Sequence, residues 1–290
     1  MTTATLNPPA GRSALPFTDR QHPDRPLAVN FYRPARHRPS DPVVVVQHGM
    51  MRNGDEYRDF WIEAAEKHNL LIVAPTFPNA EFPGAEGYNN GLLVADDGSF
   101  APRGQWLYAV PARILEALRA GGAIERPPVR IFGHSAGGQF VHRMLATLGL
   151  DPFEAAIVGN PGWYTLPTLE RFFPEGLGGL GLDEEAVIRW LASPMVILAG
   201  EQDIATDDPN LPAQPEALAQ GPHRFARAAF MLDQARNEAR RRGSPCNWRL
   251  VPVPGVGHDG AAMSRAAAAY WFEGGIPATE RLRPQGSIVA

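Results

Sequence analysis

Short runs of apolar, β-branched residues alternate along this chain with longer segments of helical period. Residues 41–47, D-P-V-V-V-V-Q, are the most strongly β-branched run, and 194–200, P-M-V-I-L-A-G, is continuously apolar. Unbroken runs of this kind suit strands covered on both faces, as in a parallel sheet flanked by helices. The pattern predicts strands at 27–33, 42–47 and 70–74, then in the V-R-I-F run from Val129, and at 155–158, 195–199 and 248–253. Helices are predicted at about 55–68, 105–120, 222–242 and 260–273, with one more opening after Ser135. The helix at 55–68 lies between two strands, which makes a right-handed crossover the expected connection. An alternating series of this kind predicts the α/β class, a mostly parallel central sheet with helices on both faces. Ligands of such sheets sit beyond the carboxyl ends of the strands.

Three stretches do not fit the alternation. Residues 1–26 are Pro-rich and are expected to form a wrapping or disordered arm ahead of one domain at 27–290. Residues 77–104 and 160–192 are rich in Gly, Asn and Pro, too long for simple connectors and therefore expected to shape a binding site.

The sharpest chemical signal is V-R-I-F-G-H-S-A-G-G-Q at 129–139. A G-x-S-x-G pentapeptide between a strand and a helix describes a nucleophile elbow, in which Ser135 stands exposed at the strand end in a strained conformation. Gly133 and Gly137 are required there because strand and helix approach closely. The helix beginning at Ala136 adds a free N–H and the positive end of its dipole beneath the serine.

A serine nucleophile needs a base, an orienting acid and an oxyanion hole. His258 lies in G-V-G-H-D-G, between the last strand and the last helix, and is the candidate base. Of the other histidines, His22, His37, His68 and His223 read as surface residues and His142 as packed on the elbow helix. His134 is the variable elbow position, and His48 belongs to the oxyanion region. The acid should follow the strand at 195–199: Asp203 has the best reach, while Glu201, Asp207 and Asp208 remain alternatives. For the oxyanion hole, His48, Gly49, Met50 and Met51 follow the valine strand directly. Gly49 would admit a close backbone approach, and the Met50 N–H would pair with that of Ala136.

The runs V-V-V-V-Q-H-G, G-H-S-A-G-G-Q, L-A-G-E-Q-D and G-V-G-H-D-G, in that order, resemble the α/β-hydrolase superfamily, and more closely bacterial esterases and polyhydroxyalkanoate-depolymerase-like hydrolases. The resemblance covers roughly residues 28–274. It implies an α/β-hydrolase fold with lid or loop insertions and a serine hydrolase that cleaves carboxylic esters through an acyl-enzyme. Secreted depolymerases usually carry disulfides and extra substrate-binding modules, and this chain differs from them in both respects. An aromatic wall beside Ser135 is expected from Trp163 and Tyr164, with Tyr88 and Trp106 as further members, and with the side chains of Met50 and Met51 lining the pocket.

Composition narrows the remaining classes. The formal net charge is −4, without the basic footprint of a nucleic-acid binder, and the only cysteine, Cys246, excludes an intramolecular disulfide. The first residues lack the basic and apolar regions of a signal peptide, and there is no apolar run of 18 residues, so a cytoplasmic protein without a membrane span is expected. H-E-x-x-H, P-loop and G-x-G-x-x-G patterns are missing, and no cofactor or metal is expected. The expected partner is a small or polymeric ester. A peptidase or amidase with the same triad, or a non-catalytic small-molecule receptor on the same fold, are the competing functions.

Overall fold

The computed structural model describes residues 5–95 and 97–282. The arm and domain expectations for 1–4, 96 and 283–290 lie outside the described residues. Within the expected arm, Gly11–Phe17 forms β1, an edge strand antiparallel to Leu27–Arg33 (β2). Its pattern is half polar: of the inward positions Gly11, Ser13, Leu15 and Phe17, only Phe17 is fully buried. Pro16 is exposed on this edge strand, the place in a sheet where proline is tolerated. An arm and an edge strand look alike in sequence, and within this stretch Gly11–Phe17 pairs with the sheet.

The other strands are Val43–Gln47 (β3), Leu71–Thr76 (β4), Val129–His134 (β5), Ala155–Gly159 (β6), Met195–Gly200 (β7) and Arg249–Val253 (β8). They form one eight-stranded sheet in the order β1-β2-β4-β3-β5-β6-β7-β8. All neighbours from β4 to β8 are parallel; β1 and β2 are the antiparallel edge. The valine strand shows why the apolar run is unbroken. Val43 and Val45 face one apolar layer with Ile131 and Phe140, while Val44 and Val46 face the other with Phe132 and Leu198.

Helices cover both faces. Gly54–Asp59 (α1) and Ile62–His68 (α2) replace the single helix expected at 55–68. The ladder tightens between them, with the Trp61 N–H bonded to Arg58 O, and the buried Trp61 packs against Phe132 and Trp271. Val110–Ala120 (α3) follows two short 3-10 turns that take up the rest of the segment expected at 105–120. The elbow helix is Ala136–Leu148 (α4). Glu184–Ala192 (α5), inside the second irregular stretch, is a helix the pattern did not suggest, capped by Asp183 and burying Val187, Trp190 and Leu191. Pro215–Leu218 (α6), Arg224–Arg242 (α7), Gly260–Phe272 (α8) and Thr279–Leu282 (α9) complete the described chain.

The two irregular stretches pack on each other. A side chain at Gly179 would meet the Phe100 ring at 2.9 Å, and Arg103 donates to Gly181 O at 3.2 Å. Residues Phe77, Phe82, Tyr88 and Leu93 of the first stretch belong to the core. Among the described residues no helix is long and apolar enough to cross a membrane.

Candidate active site

The elbow forms because the backbone admits only glycine two positions before and two positions after the serine. Ser135 has φ 57° and ψ −118°, a left-handed conformation for a residue that carries a side chain. A Cβ on Gly133 would lie 2.1 Å from Gly137 O, and one on Gly137 would lie 2.2 Å from Gln47 O. The Ser135 N–H bonds Gly159 O at 2.8 Å, which ties the turn to the neighbouring strand β6.

Ser135, His258 and Asp203 meet at the carboxyl ends of β5, β8 and β7. His258 Nε2 is 3.0 Å from Ser135 Oγ, and Nδ1 is 2.7 Å from Asp203 Oδ2. Asp203 is 2% exposed, whereas the His258 side chain retains 28% exposure, so the chain of hydrogen bonds runs from a buried anion to a solvent-facing hydroxyl. A hydroxyl on an imidazole whose other nitrogen is held by a carboxylate is the arrangement that generates a nucleophilic oxygen. Of the other carboxylates, Asp208 is held by Arg224 at 2.8 Å instead of by the histidine.

The turn after β3, where the sequence places the oxyanion hole, lies beside the serine. A Cβ on Gly49 would sit 3.8 Å from Ser135 Cβ, so this turn abuts Ser135. The Ala136 N–H, at the first position of α4, lies outside the helical ladder, as helix geometry requires. Met50 and Met51 are 51% and 80% exposed and stand on the open side of the same turn. His48 is the bracket behind it: Nδ1 bonds Gly49 O at 2.8 Å and Nε2 accepts the Phe77 N–H at 3.0 Å.

No family model and no curated protein matches this chain. Among solved structures, the poly(3-hydroxybutyrate) depolymerase LpqC from Bordetella parapertussis is 52% identical over 94% of each chain, with TM-score 0.92. The chain belongs to the α/β-hydrolase superfamily. Poly(aspartic acid) hydrolase-1 from Sphingomonas sp. KT-1 is 32% identical over 91% of this chain and 98% of its own, with TM-score 0.85. An S-formylglutathione hydrolase from Agrobacterium tumefaciens shares the fold at 17% identity, covering 98% and 100% of the two chains with TM-score 0.53.

In this α/β-hydrolase the expected aromatic wall is largely internal. Tyr88 is fully buried, stacks on His48 with ring centres 4.5 Å apart and donates to His48 O at 2.8 Å; it braces the turn after β3 from the core side. Tyr164 is also fully buried, and its backbone is pinned by both ends of the Gln220 amide. Trp106 is 1% exposed and donates to Ala101 O. Both tyrosines are corrected from substrate-binding to structural, because aromatic composition alone does not distinguish a wall from a core. Trp163, 7% exposed, does line a groove of about 540 Å³ with Phe172, Phe173 and Gln214, and the buried Arg143 guanidinium lies 5.4 Å from its ring centre.

Several residues that complete the site were not singled out from the sequence. Arg224, 2% exposed, places Nη1 3.4 Å from Asp203 Oδ1 and couples it to Asp208. Burial works against the charge of Asp208, yet the Asn210 N–H and Arg224 hold its carboxyl below the usual range. Asn160, with φ 44°, spans the acid and base loops: its Nδ2 donates to Gly257 O at 3.0 Å and its Oδ1 accepts the Gly200 N–H at 2.8 Å. An Asn directly after a strand, in G-N-P-G, is the one local signal that could have marked this turn. His37, read as a surface residue, is 5% exposed.

Three buried histidines are held neutral. Burial pushes His48 down to about 3, against the opposing hydrogen bond that its Nδ1 makes to Gly49 O. Burial likewise drives His134 well below its ordinary value, reinforced by His258 and Arg224, and does the same to His142, reinforced by Arg143. In the unfolded chain each would titrate near about 6.5. Their folded values are depressed, so the unfolded state binds more protons once the pH falls below that reference. The stability they contribute is full above it and is lost toward lower pH, at up to about 1.4 kcal/mol per pH unit for each histidine. Urea unfolding is expected to show a falling free energy from pH 7.5 to pH 5, before the carboxylates titrate. A flat profile over that interval would contradict the neutral assignment.

Proposed function

We propose that this α/β-hydrolase cleaves carboxylic esters by a covalent route through Ser135. It is a carboxylic ester hydrolase whose nucleophile is Ser135, whose base is His258 and whose orienting acid is Asp203. The Ser135–His258–Asp203 hydrogen-bond chain carries this reading, supported by the 52% identity to a poly(3-hydroxybutyrate) depolymerase. His258 takes the Ser135 proton as Oγ attacks the ester carbonyl, and the N–H groups of Met50 and Ala136 receive the developing oxyanion. The same imidazole returns the proton to the departing alcohol. Water, deprotonated by His258, then attacks the acyl-enzyme and releases the acid. Exposed Met50 and Met51 supply an apolar lip, and the 52% identical relative is a poly(3-hydroxybutyrate) depolymerase, so aliphatic polyesters are included in the substrate class.

One observation favours a second reading. The 32% identical relative is a poly(aspartic acid) hydrolase, and a poly(aspartic acid) backbone is amide-linked. The two readings separate on one substrate panel: p-nitrophenyl esters of graded acyl length, poly(3-hydroxybutyrate), an aromatic polyester and poly(aspartic acid), each assayed with and without a chelator. Ester and aliphatic polyester turnover that survives chelation is expected. Turnover of poly(aspartic acid) with inert esters would replace the ester reading by the amidase one.

A further inference from the structure

The elbow carries a second histidine that the proposed route leaves unused. His134, the last residue of β5, is fixed in register opposite Gly159, and its ring centre lies 4.7 Å from that of His258 at an interplanar angle of 37°. On its other side the Tyr57 hydroxyl, from α1, sits 2.7 Å from His134 Nδ1, and both groups are buried. We propose that Tyr57 and His134 are a positioning pair, in which the hydroxyl fixes the His134 ring and that ring is the wall that keeps the His258 imidazole in line with Ser135 and Asp203.

The surroundings of the hydroxyl support this role. A Cβ on Gly49 would lie 3.1 Å from it, and one on Gly260 would lie 2.8 Å from it and 3.4 Å from His134 Nδ1. Gly49 belongs to the oxyanion turn, and Gly260 opens α8 two residues after the base. Glycine at both places lets three segments of the site close on one phenol. Any larger side chain at either position would push Tyr57 away from His134.

The chemistry sets the direction of the hydrogen bond. Burial raises Tyr57 above its ordinary value, with the Gly49 backbone hydrogen bond opposing and Asp259 and Glu56 adding to the rise, so the phenol keeps its proton. Burial, His258 and Arg224 together keep His134 neutral, so one of its ring nitrogens carries a lone pair. Taking Nδ1 as that nitrogen makes the phenol the donor and leaves the His134 proton on Nε2. Of the charged groups facing this pair, Arg224 and a protonated His258 both disfavour a cation at His134. A neutral ring there is the form compatible with an imidazolium appearing beside it in each catalytic cycle.

This inference rests on His258 being the base, and the experiment separates the two. Wild type, His258→Ala, His134→Ala, Tyr57→Phe and the double variant His134→Phe/Tyr57→Phe are assayed on one p-nitrophenyl ester over a range of pH, with folding checked by thermal melting. His134→Ala is expected to lose about 10–100-fold in kcat with KM nearly unchanged, because a displacement of the base near 1 Å costs that much. Water entering the vacated space stabilises the imidazolium, so the acid limb of kcat/KM moves to higher pH. Tyr57→Phe shows a smaller loss in the same direction. The double variant restores an aromatic wall without stranding a hydroxyl, and it regains most of the lost kcat and the parental acid limb. Wild-type kcat and an unmoved acid limb in His134→Ala and Tyr57→Phe overturn the inference, as does a folded double variant that fails to regain turnover. Full activity in His258→Ala would instead overturn the assignment of the base.

Discussion

Replacing Ser135 with alanine is expected to lower ester turnover by roughly three to six powers of ten while the protein stays folded, since nucleophile and base act as a unit. The oxygen removed is the one 3.0 Å from His258 Nε2, and no other hydroxyl is bonded to that nitrogen among the described residues. The strained turn itself does not depend on the hydroxyl. It is held by the Ser135 N–H on Gly159 O and by the contacts that exclude a Cβ at Gly133 and Gly137, all of which alanine retains. Circular dichroism and melting of the variant should match the parent. The residual rate is expected to report the proposed oxyanion N–H groups and substrate binding alone.

Asp203→Asn is expected to have the next largest effect, a fall in turnover of up to about four powers of ten. The amide keeps the size of the carboxylate but removes the charge that stabilises the His258 imidazolium, and its NH2 group can face Nδ1 and impose the wrong tautomer. Arg224 sharpens the effect, because among the described residues its guanidinium then keeps only Asp208 as an anion within ion-pair distance. Asp208→Asn leaves the 2.7 Å contact between Asp203 and His258 in place and is expected to cost far less. Glu201→Gln and Asp207→Asn should be milder still. Steady-state kinetics on one p-nitrophenyl ester ranks all four. A greater loss in Asp208→Asn than in Asp203→Asn would move the acid to Asp208 and leave Ser135 and His258 where they are.

The elbow was legible in the sequence because its geometry makes local demands. Gly133 and Gly137 are needed by a backbone approach of about 2 Å to any added Cβ, and such a requirement writes itself into adjacent positions. The valine strand was legible for a similar reason, since consecutive side chains point into two different apolar layers. Asp203 was harder: four carboxylates share its segment, and only the turn closed by the Asp203 N–H on Gly200 O aims one of them at His258.

Other features depend on contacts far apart in the chain. Asn160 meets Gly257 across 97 positions, and Tyr57 meets His134 across 77, so no local pattern records either. Tyr88 and Tyr164 sit in Gly- and Asn-rich stretches that look like exposed loops, yet their rings fill the core beneath the site. β1 escaped notice because an edge strand needs an apolar residue on only one face, and half of its inward positions are Gly and Ser. Helix α5 was hidden by the Gly-rich sequence before it, although Asp183 at its start is a strong capping residue.

The central claim, that Ser135 carries the acyl group, is tested most directly by intact-mass and peptide-level mass spectrometry after treatment with a fluorophosphonate. A single adduct on Ser135, absent from Ser135→Ala and blocked in parallel with loss of ester hydrolysis, is the predicted result. Complete loss of activity with the adduct on another residue, or full labelling of Ser135 with undiminished ester turnover, would contradict it.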